Sequence, residues 1–238
     1  MDGLLALTTF AAASVEWVEA LTLVLAAGLT VGWRPASRGA LAGLGVLILL
    51  IALLSLILGV LSGLKVLIQI VVGVILILLG LRWLGKAVLR QAGRIPFRDE
   101  ERAFALEQQR LVGNRQAVQE AQAMSFQGVL LEGLEVVLIV VAFAGGSERG
   151  LASAALGALL ALVVVVALGW LSHRPLSRIP ENALKYGVGI LLTSFGTFWL
   201  GEGLGVRWPG SDLWLLALAA ILTLASFAQT SWLKRGAR

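Results

Sequence analysis

Long apolar runs dominate the chain, and charged residues or Gly and Pro separate them. Each run is too long and too continuous for the strand of a β-barrel, whereas a bilayer-spanning helix needs roughly 20 mostly apolar residues. The pattern therefore predicts an all-α integral membrane protein with seven transmembrane helices. The predicted spans lie near 4–31, 40–61, 66–84, 124–146, 150–171, 183–204 and 212–232.

One sizeable polar segment, 89–123, interrupts the apolar pattern. Pro96 precedes an acidic stretch that is rich in Ala, Leu and Gln, which predicts a surface helix broken near Gly113 and Asn114. Its acidic residues are dispersed along the segment, so we expect a connector on or near the membrane surface. Metal sensing or binding of a partner is the alternative role.

Composition supports a membrane protein and excludes a soluble globule. Hydrophobic residues make up 58% of the chain and charged residues 14%, and the mean hydropathy is +0.91. The start of the chain has no basic segment, so we expect the first apolar run to be a retained span and not a cleaved signal.

Orientation follows from the positions of Lys and Arg, because short cytoplasmic loops retain positive charge. Arg34 and Arg38 follow the first span, Arg174 and Arg178 follow the fifth, and 90–115 contains six Arg. Lys and Arg also end the chain. These loops lie on one side, which predicts an outside N-terminus, a cytoplasmic C-terminus and a bacterial-type inner (plasma) membrane. The net charge of +5 reflects this topology and contact with anionic lipid, and we predict no nucleic-acid partner.

Four acidic residues lie well inside predicted spans: Glu16 and Glu19 in "SVEWVEALTLVL", and Glu132 and Glu135 in "LLEGLEVVLIV". Both pairs have the spacing E-x-x-E, which places the two carboxylates on one helix face. Four carboxylates facing lipid at mid-bilayer would cost on the order of 12 kcal/mol. We therefore expect them to face inward and to share protons or bind a cation.

The two pairs are related by an offset of 116 residues, and the same offset aligns 72–86 with 188–202 at seven of fifteen positions. This indicates a duplicated three-helix unit. Because three is odd, the second copy is inverted in the membrane, an arrangement typical of secondary transporters with a site at the midplane. The predicted division is a first repeat at 1–88, a cytoplasmic connector at 89–123, a second inverted repeat at 124–205, and a seventh helix with a basic tail at 206–238.

Carboxylate oxygens suit hard or borderline cations, here iron, manganese, calcium or magnesium. The chain has no Cys, two Met and one His, His173, which we place in a loop, so soft copper sites and His-rich zinc sites have no ligands. We predict a transported metal and no covalently bound cofactor.

Neutral oxygens could complete the metal shell or line the pathway, although hydroxyls also commonly bond between membrane helices. Thr9 and Ser125 share the 116-residue offset, and each lies about two turns before the first glutamate of its pair. The further candidates are Ser14, Gln127, Thr193 and Ser194.

"LEGLE" at 131–135 resembles the R-E-G-L-E signature of the oxidase-dependent iron permeases. The resemblance implies seven helices, an outside N-terminus and iron carried by acidic motifs on the first and fourth spans. Glu132 and Glu135 match the second motif, and Glu16 and Glu19 match the acids of the first.

The chain differs from this family at neighbouring motif positions. Leu131 and Val15 stand where the family has Arg, and Trp17 stands where it has Gly. The chain is also similar to the wider group of inverted-repeat cation transporters, which includes the lysine exporters and the calcium/manganese proton exchangers.

These observations predict a metal cation transporter that works by alternating access. The expected partners are lipid and the metal, and the sequence leaves open coupling to protons and assembly into a homo-oligomer. The alternatives are a proton-coupled exporter of amino acids or other organic cations, and an accessory membrane subunit that transports nothing. We do not expect an enzyme, because every Asp lies in a loop or at the end of a predicted span and a single His cannot supply a metalloprotease motif.

Overall fold

The computed structural model describes residues 2–60, 65–97, 99–113, 115–144, 148–172, 181–209 and 213–235. Within these ranges every regular element is a helix. The helices are α1 (Gly3–Thr30), α2 (Trp33–Val60), α3 (Lys65–Gln91), α4 (Glu100–Leu111), α5 (Ala117–Ala144), α6 (Glu148–Ser172), α7 (Glu181–Gly203) and α8 (Leu213–Arg235).

Seven of these described helices, all except α4, are long and apolar enough to cross a membrane. The all-α membrane fold with seven spans is confirmed. Some helix ends extend beyond the predicted ones: α2 begins at Trp33, because Pro35 lies in the first turn, where its missing N–H is not needed. α3 continues to Gln91, and α5 begins at Ala117 with a turn of polar residues before the apolar run.

The connector contains a helix, α4, as predicted, and its location on the membrane surface stays a prediction. The carboxylate of Asp99 accepts a hydrogen bond from the backbone N–H of Arg102 at 3.1 Å and so caps the helix. The helix ends at Leu111, and Gly113 has φ +77°, a left-handed conformation that favours glycine. The helix therefore ends close to the predicted break near Gly113. Asn114 lies outside the described residues.

The chain divides into two compact units. The first comprises 1–57 and 98–179, with α1, α4, α5, α6 and most of α2. The second comprises 58–97 and 180–238, with α3, α7 and α8. Each unit takes helices from both predicted repeats. The predicted four-part division of the sequence stays a prediction.

In the first unit, glycines bring α2 against α5 and α6 against α1. A Cβ on Gly39 would overlap the carbonyl oxygen of Gln122, and a Cβ on Gly157 would overlap the carbonyl oxygen of Ala6. Ala6 and Gln122 differ by 116 residues, and the two glycines differ by 118. The 116-residue offset therefore relates the two contacts, except that Gly157 lies two residues beyond the position equivalent to Gly39. Close backbone approach through small residues is the usual basis of helix packing in membranes.

The directions of the helices in this unit follow from successive contacts along them. The hydroxyl of Ser153, early in α6, accepts a hydrogen bond from the backbone N–H of Asp2 at the start of α1, and the later Gly169 packs against the later Leu21. α6 therefore runs parallel to α1. α5 runs antiparallel to α1, since Gly128 packs against Leu23, whereas the earlier Ala121 shares an apolar cluster with the later Ala27 of α1.

In the second unit, α3 and α7 pack antiparallel through two pairs of glycines. A Cβ on Gly73 would lie 2.9 Å from the carbonyl oxygen of Gly196, and a Cβ on Gly80 would lie 2.8 Å from that of Gly189. Under the 116-residue offset Gly73 corresponds to Gly189 and Gly80 to Gly196, so each contact maps onto the other. The glycines that the segments 72–86 and 188–202 share thus form a symmetric contact between α3 and α7.

Polar contacts also join the helices of the second unit. Arg90 of α3 donates to Glu181 of α7 at 3.0 Å, and both side chains are largely buried. On α8, the hydroxyl of Ser226 forms a hydrogen bond with that of Tyr186. α8 is thereby attached to the α3/α7 pair by a polar contact in addition to apolar packing.

We predict that Gly80→Ala lowers the midpoint of thermal unfolding in detergent, because the new methyl group meets the backbone of α7. Overpacking of this kind costs about 1 to 3 kcal/mol. Gly85→Ala is the matched control on the same helix, since no atom lies within 4 Å of its Cβ position. Equal midpoints for the two variants would contradict the glycine-mediated crossing.

Candidate metal site

Three glutamate side chains converge between α1 and α5. One carboxylate oxygen from each of Glu16, Glu19 and Glu132 lies within 4.8 Å of the other two. Glu16 is 0% exposed and Glu19 is 5% exposed, while Glu132 is half-buried. We call these three residues the carboxylate group.

The local sequence explains why these side chains meet. The E-x-x-E spacing stacks Glu16 and Glu19 one turn apart on α1. On α5, Gly128 lets the backbone approach α1, because a Cβ there would lie 2.6 Å from a methyl carbon of Leu23. Gly133, next to Glu132, admits the side chain of Leu47 from α2 in the same way. Glu132 therefore lies on a helix packed closely against both neighbours.

Trp17, between the two glutamates of α1, faces a different neighbour. Its indole Nε1 donates to the carbonyl oxygen of Ala158 on α6 at 3.2 Å, and the ring is buried in the apolar core of the first unit. The ring thus ties α1 to α6 beside the carboxylate group. Its role here is packing, with a hydrogen bond that satisfies the indole N–H.

Glu135 lies outside the carboxylate group. It is half-buried, whereas Glu19, its equivalent under the 116-residue offset, is buried. The duplicated motif is therefore used unequally: α1 contributes both of its glutamates to the group and α5 contributes one. A direct role of Glu135 in binding metal stays a prediction.

The geometry of the carboxylate group suits a hard cation. Such cations bind oxygen at roughly 2.0 to 2.6 Å, so ligands on opposite sides lie roughly 4.0 to 5.2 Å apart. The observed limit of 4.8 Å falls within this range. Two carboxylates at 4.8 Å repel each other by about 3 kcal/mol at an effective dielectric constant of about 20. A bound cation or shared protons would relieve this repulsion.

The predicted neutral ligands are engaged within their own helices. The hydroxyls of these residues donate to the carbonyl oxygen four residues earlier: Thr9, Ser14, Thr193 and Ser194. Such bonds are typical of Ser and Thr in membrane helices and leave the oxygen lone pairs able to accept. Thr193 and Ser194 belong to the second unit, and the carboxylate group belongs to the first.

Ser125 differs from its repeat equivalent Thr9. Its Oγ is buried, and no residue within the described ranges forms a hydrogen bond with it. It lies against α2, where the Cβ position of Gly39 is 3.0 Å from the Ser125 Cβ. Ser125 is therefore part of the α2/α5 contact, about two turns from Glu132.

Gln127 is exposed and lines a cavity of about 390 Å³ in the first unit. Glu132 lines the same cavity, together with Glu120 of α5 and Glu107 and Arg110 of α4. Sequence reasoning treated the acids of the connector as dispersed and did not connect them with the site. The helical spacing of Glu120, Met124, Gln127 and Leu131 on α5 was the available signal.

Thr22 was also missed by sequence reasoning. It is 1% exposed, lies three residues after Glu19, and donates to the carbonyl oxygen of Val18 at 2.8 Å. Its position on α1 is consistent with a neutral oxygen near the glutamate face. His173, predicted in a loop, lies outside the described residues.

Comparison with protein families gives a match over nearly the whole chain. A family model described as "ferrous iron uptake permease, iron-lead transporter" matches residues 1–224. No curated protein and no solved structure matches the chain. The suspected relationship to the iron permeases is thereby confirmed.

We predict that Mn²⁺ raises the midpoint of thermal unfolding of the purified protein at neutral pH, because a ligand that binds only the folded state stabilises it by about 2.7 kcal/mol at 100 times its Kd. Glu16→Gln should abolish most of this shift. Glu101→Gln, an exposed carboxylate on α4, should retain it.

Each variant serves as its own reference, so a change in the stability of the metal-free protein does not affect the readout. A full metal shift in Glu16→Gln would remove that residue from the site.

Proposed function

Because the chain belongs to the ferrous iron uptake permease, iron-lead transporter family, we propose that it carries ferrous iron across the membrane through the carboxylate group of Glu16, Glu19 and Glu132. The observation that carries this proposal is the convergence of three carboxylates, two of them buried, from two different membrane helices. The iron is the transported substrate and not a resident cofactor. Glu135, from the same motif, is half-buried outside this group, and its role as a ligand stays a prediction.

The chemistry of the group supports iron over several competitors. Its carboxylate oxygens suit hard and borderline cations, and the chain offers no thiolate. Among divalent ions that such a site accepts, Fe²⁺ binds more tightly than Mn²⁺ by the general order of stability. Manganese is the closest alternative substrate, and calcium is a weaker one. The family match favours a metal over the amino-acid and organic-cation alternatives.

The packing of the first unit supports alternating access. α1 and α6 are joined by the Gly157 contact and by the bond from Trp17 to Ala158. α2 and α5 are joined by the contacts of Gly39 and Gly133. The metal binds between α1 and α5, which belong to different pairs and meet through Gly128 and Leu23. Rocking of one helix pair against the other changes the separation of Glu132 from the two glutamates of α1 and so binds or releases the ion.

Protons accompany this cycle, since a group of close carboxylates that loses its cation takes up protons to relieve repulsion. Metal movement in one direction is then linked to proton movement in the other. The distribution of Lys and Arg supports an outside N-terminus and a cytoplasmic C-terminus in a plasma membrane, and uptake is toward the connector side. Assembly into a homo-oligomer stays a prediction.

We predict that proteoliposomes containing the protein take up Fe²⁺ kept reduced, and that Glu132→Gln or Glu19→Gln lowers uptake at least tenfold, since altering even the partners of metal ligands costs about 10- to 100-fold. An interior pH dye reports proton movement in the same experiment. Glu101→Gln is the control for a lost surface carboxylate.

Membrane insertion and yield of each variant are checked by size-exclusion chromatography, so that misfolding is not read as loss of transport. Wild-type uptake in both Glu132→Gln and Glu19→Gln would contradict the proposed site. Absence of uptake of Fe²⁺, Mn²⁺ and Ca²⁺ by the wild-type protein would contradict the transport function.

A further inference from the structure

The cavity next to Glu132 is the feature that the proposed function leaves unexplained. It has a volume of about 390 Å³ and touches the carboxylate group at Glu132, while Glu16 and Glu19 do not line it. Its other walls are α4, the α5 face that carries Glu120 and Gln127, and Leu23 of α1. The cavity therefore extends from the connector helix to the half-buried member of the group.

The polar residues of the cavity follow one another along α5. Glu120, Gln127 and Glu132 span about 18 Å of helix, with steps of roughly 10 and 8 Å. Glu120 and Glu132 offer carboxylate oxygens to a partly hydrated cation, and Gln127 lies between them on the cavity wall. The equivalent positions on α1, under the 116-residue offset, hold Leu4 and Ala11 in place of Glu120 and Gln127. The two polar positions Glu120 and Gln127 thus belong to one repeat only and lie on the connector side of Glu132.

α4 is fixed in place as the wall of this cavity. Leu111 at its end is 2% exposed and packs in an apolar cluster with Ala27, Ala36 and Ala121 from α1, α2 and α5. Burial of one such leucine is worth roughly 1.5 to 3 kcal/mol. This contact attaches the C-terminal end of α4 to α1, α2 and α5.

Two charged residues of α4 face the cavity together. Arg110 Nη1 donates to both carboxylate oxygens of Glu107, at 3.0 and 3.1 Å. The Arg110 side chain is 72% exposed and that of Glu107 is 19% exposed. Of the two charges that line the cavity, the guanidinium is therefore mostly exposed and the carboxylate mostly enclosed.

We propose that this cavity is the connector-side access path of the transported cation, with α4 as its wall and the Glu107–Arg110 pair setting the cation concentration at its mouth. The inference rests on the proposed transport function and deepens it. Arg110 and Glu107 act through their charges and do not ligate the metal at the carboxylate group. Gln127 lies midway along the path, where any attached group would obstruct it.

Because the chain has no cysteine, the path can be tested with single thiols. Gln127→Cys introduces one thiol inside the cavity, and Gln109→Cys introduces one on the exposed surface of α4 outside it. A membrane-impermeant, positively charged thiol reagent should label both from the same side. Labelled Gln127→Cys should then carry Fe²⁺ at least about tenfold more slowly, since flux depends on the width and electrostatic barrier of the pathway. Labelled Gln109→Cys should carry it at the unlabelled rate.

Flux in the unlabelled variants separates the two claims. If unlabelled Gln127→Cys transports and labelled Gln127→Cys transports equally well, the access path is wrong and the transport function stands. If Gln127→Cys is labelled only from the side opposite to Gln109→Cys, the path is also wrong. If the wild-type protein carries no metal, the proposed function fails and this inference fails with it.

The charge pair has its own test, which distinguishes electrostatics from structure. With metal supplied on the connector side, Arg110→Gln should lower the half-saturating Fe²⁺ concentration about two- to fivefold and Glu107→Gln should raise it, and both effects should fade at 1 M salt. Arg102→Gln, which removes a charge from α4 outside the cavity, should have no effect. A change of the same sign in both pair variants would mean that the ion pair merely holds α4 and would overturn its proposed electrostatic role.

Discussion

Repulsion among three close carboxylates in an apolar membrane protein is the constraint on which the rest of this structure depends. Glu16 and Glu19 are buried, and Glu132 approaches them from a second helix. Such a group is stable when protons or a cation offset its charge, and the proposed transport cycle uses exchange between the two. The same constraint explains why these carboxylates lie where α1 and α5 contact each other and do not point into lipid.

Glycine packing makes the close approach of these helices possible. Gly128 and Gly133 lie on either side of the Glu132 position and admit Leu23 and Leu47 from two different helices. Gly39 and Gly157 join α2 to α5 and α6 to α1. The first unit is therefore built of two tight parallel pairs, with the carboxylate group between them. Under the proposed alternating access, motion of one pair against the other would change the carboxylate group and keep the backbone contacts within each pair.

Sequence reasoning correctly gave the seven apolar helices and a connector helix that ends before Gly113, because each depends on local pattern and turn chemistry. It also named the three glutamates that converge. It could not give the different position of Glu135, because the 116-residue repeat predicts equal roles for equivalent residues. The rotation of α5 against α1 and α4 decides which side chains meet, and this rotation depends on long-range packing. For the same reason Glu107 and Glu120 were not connected with Glu132.

The most direct test of the account is to locate the metal. Crystals of the protein soaked with Mn²⁺ as a stable substitute for Fe²⁺ would be measured at an X-ray wavelength where manganese scatters anomalously. The account predicts one anomalous peak within coordination distance of carboxylate oxygens from Glu16, Glu19 and Glu132. A peak elsewhere in the membrane region, with none at these three residues under saturating metal, would contradict it.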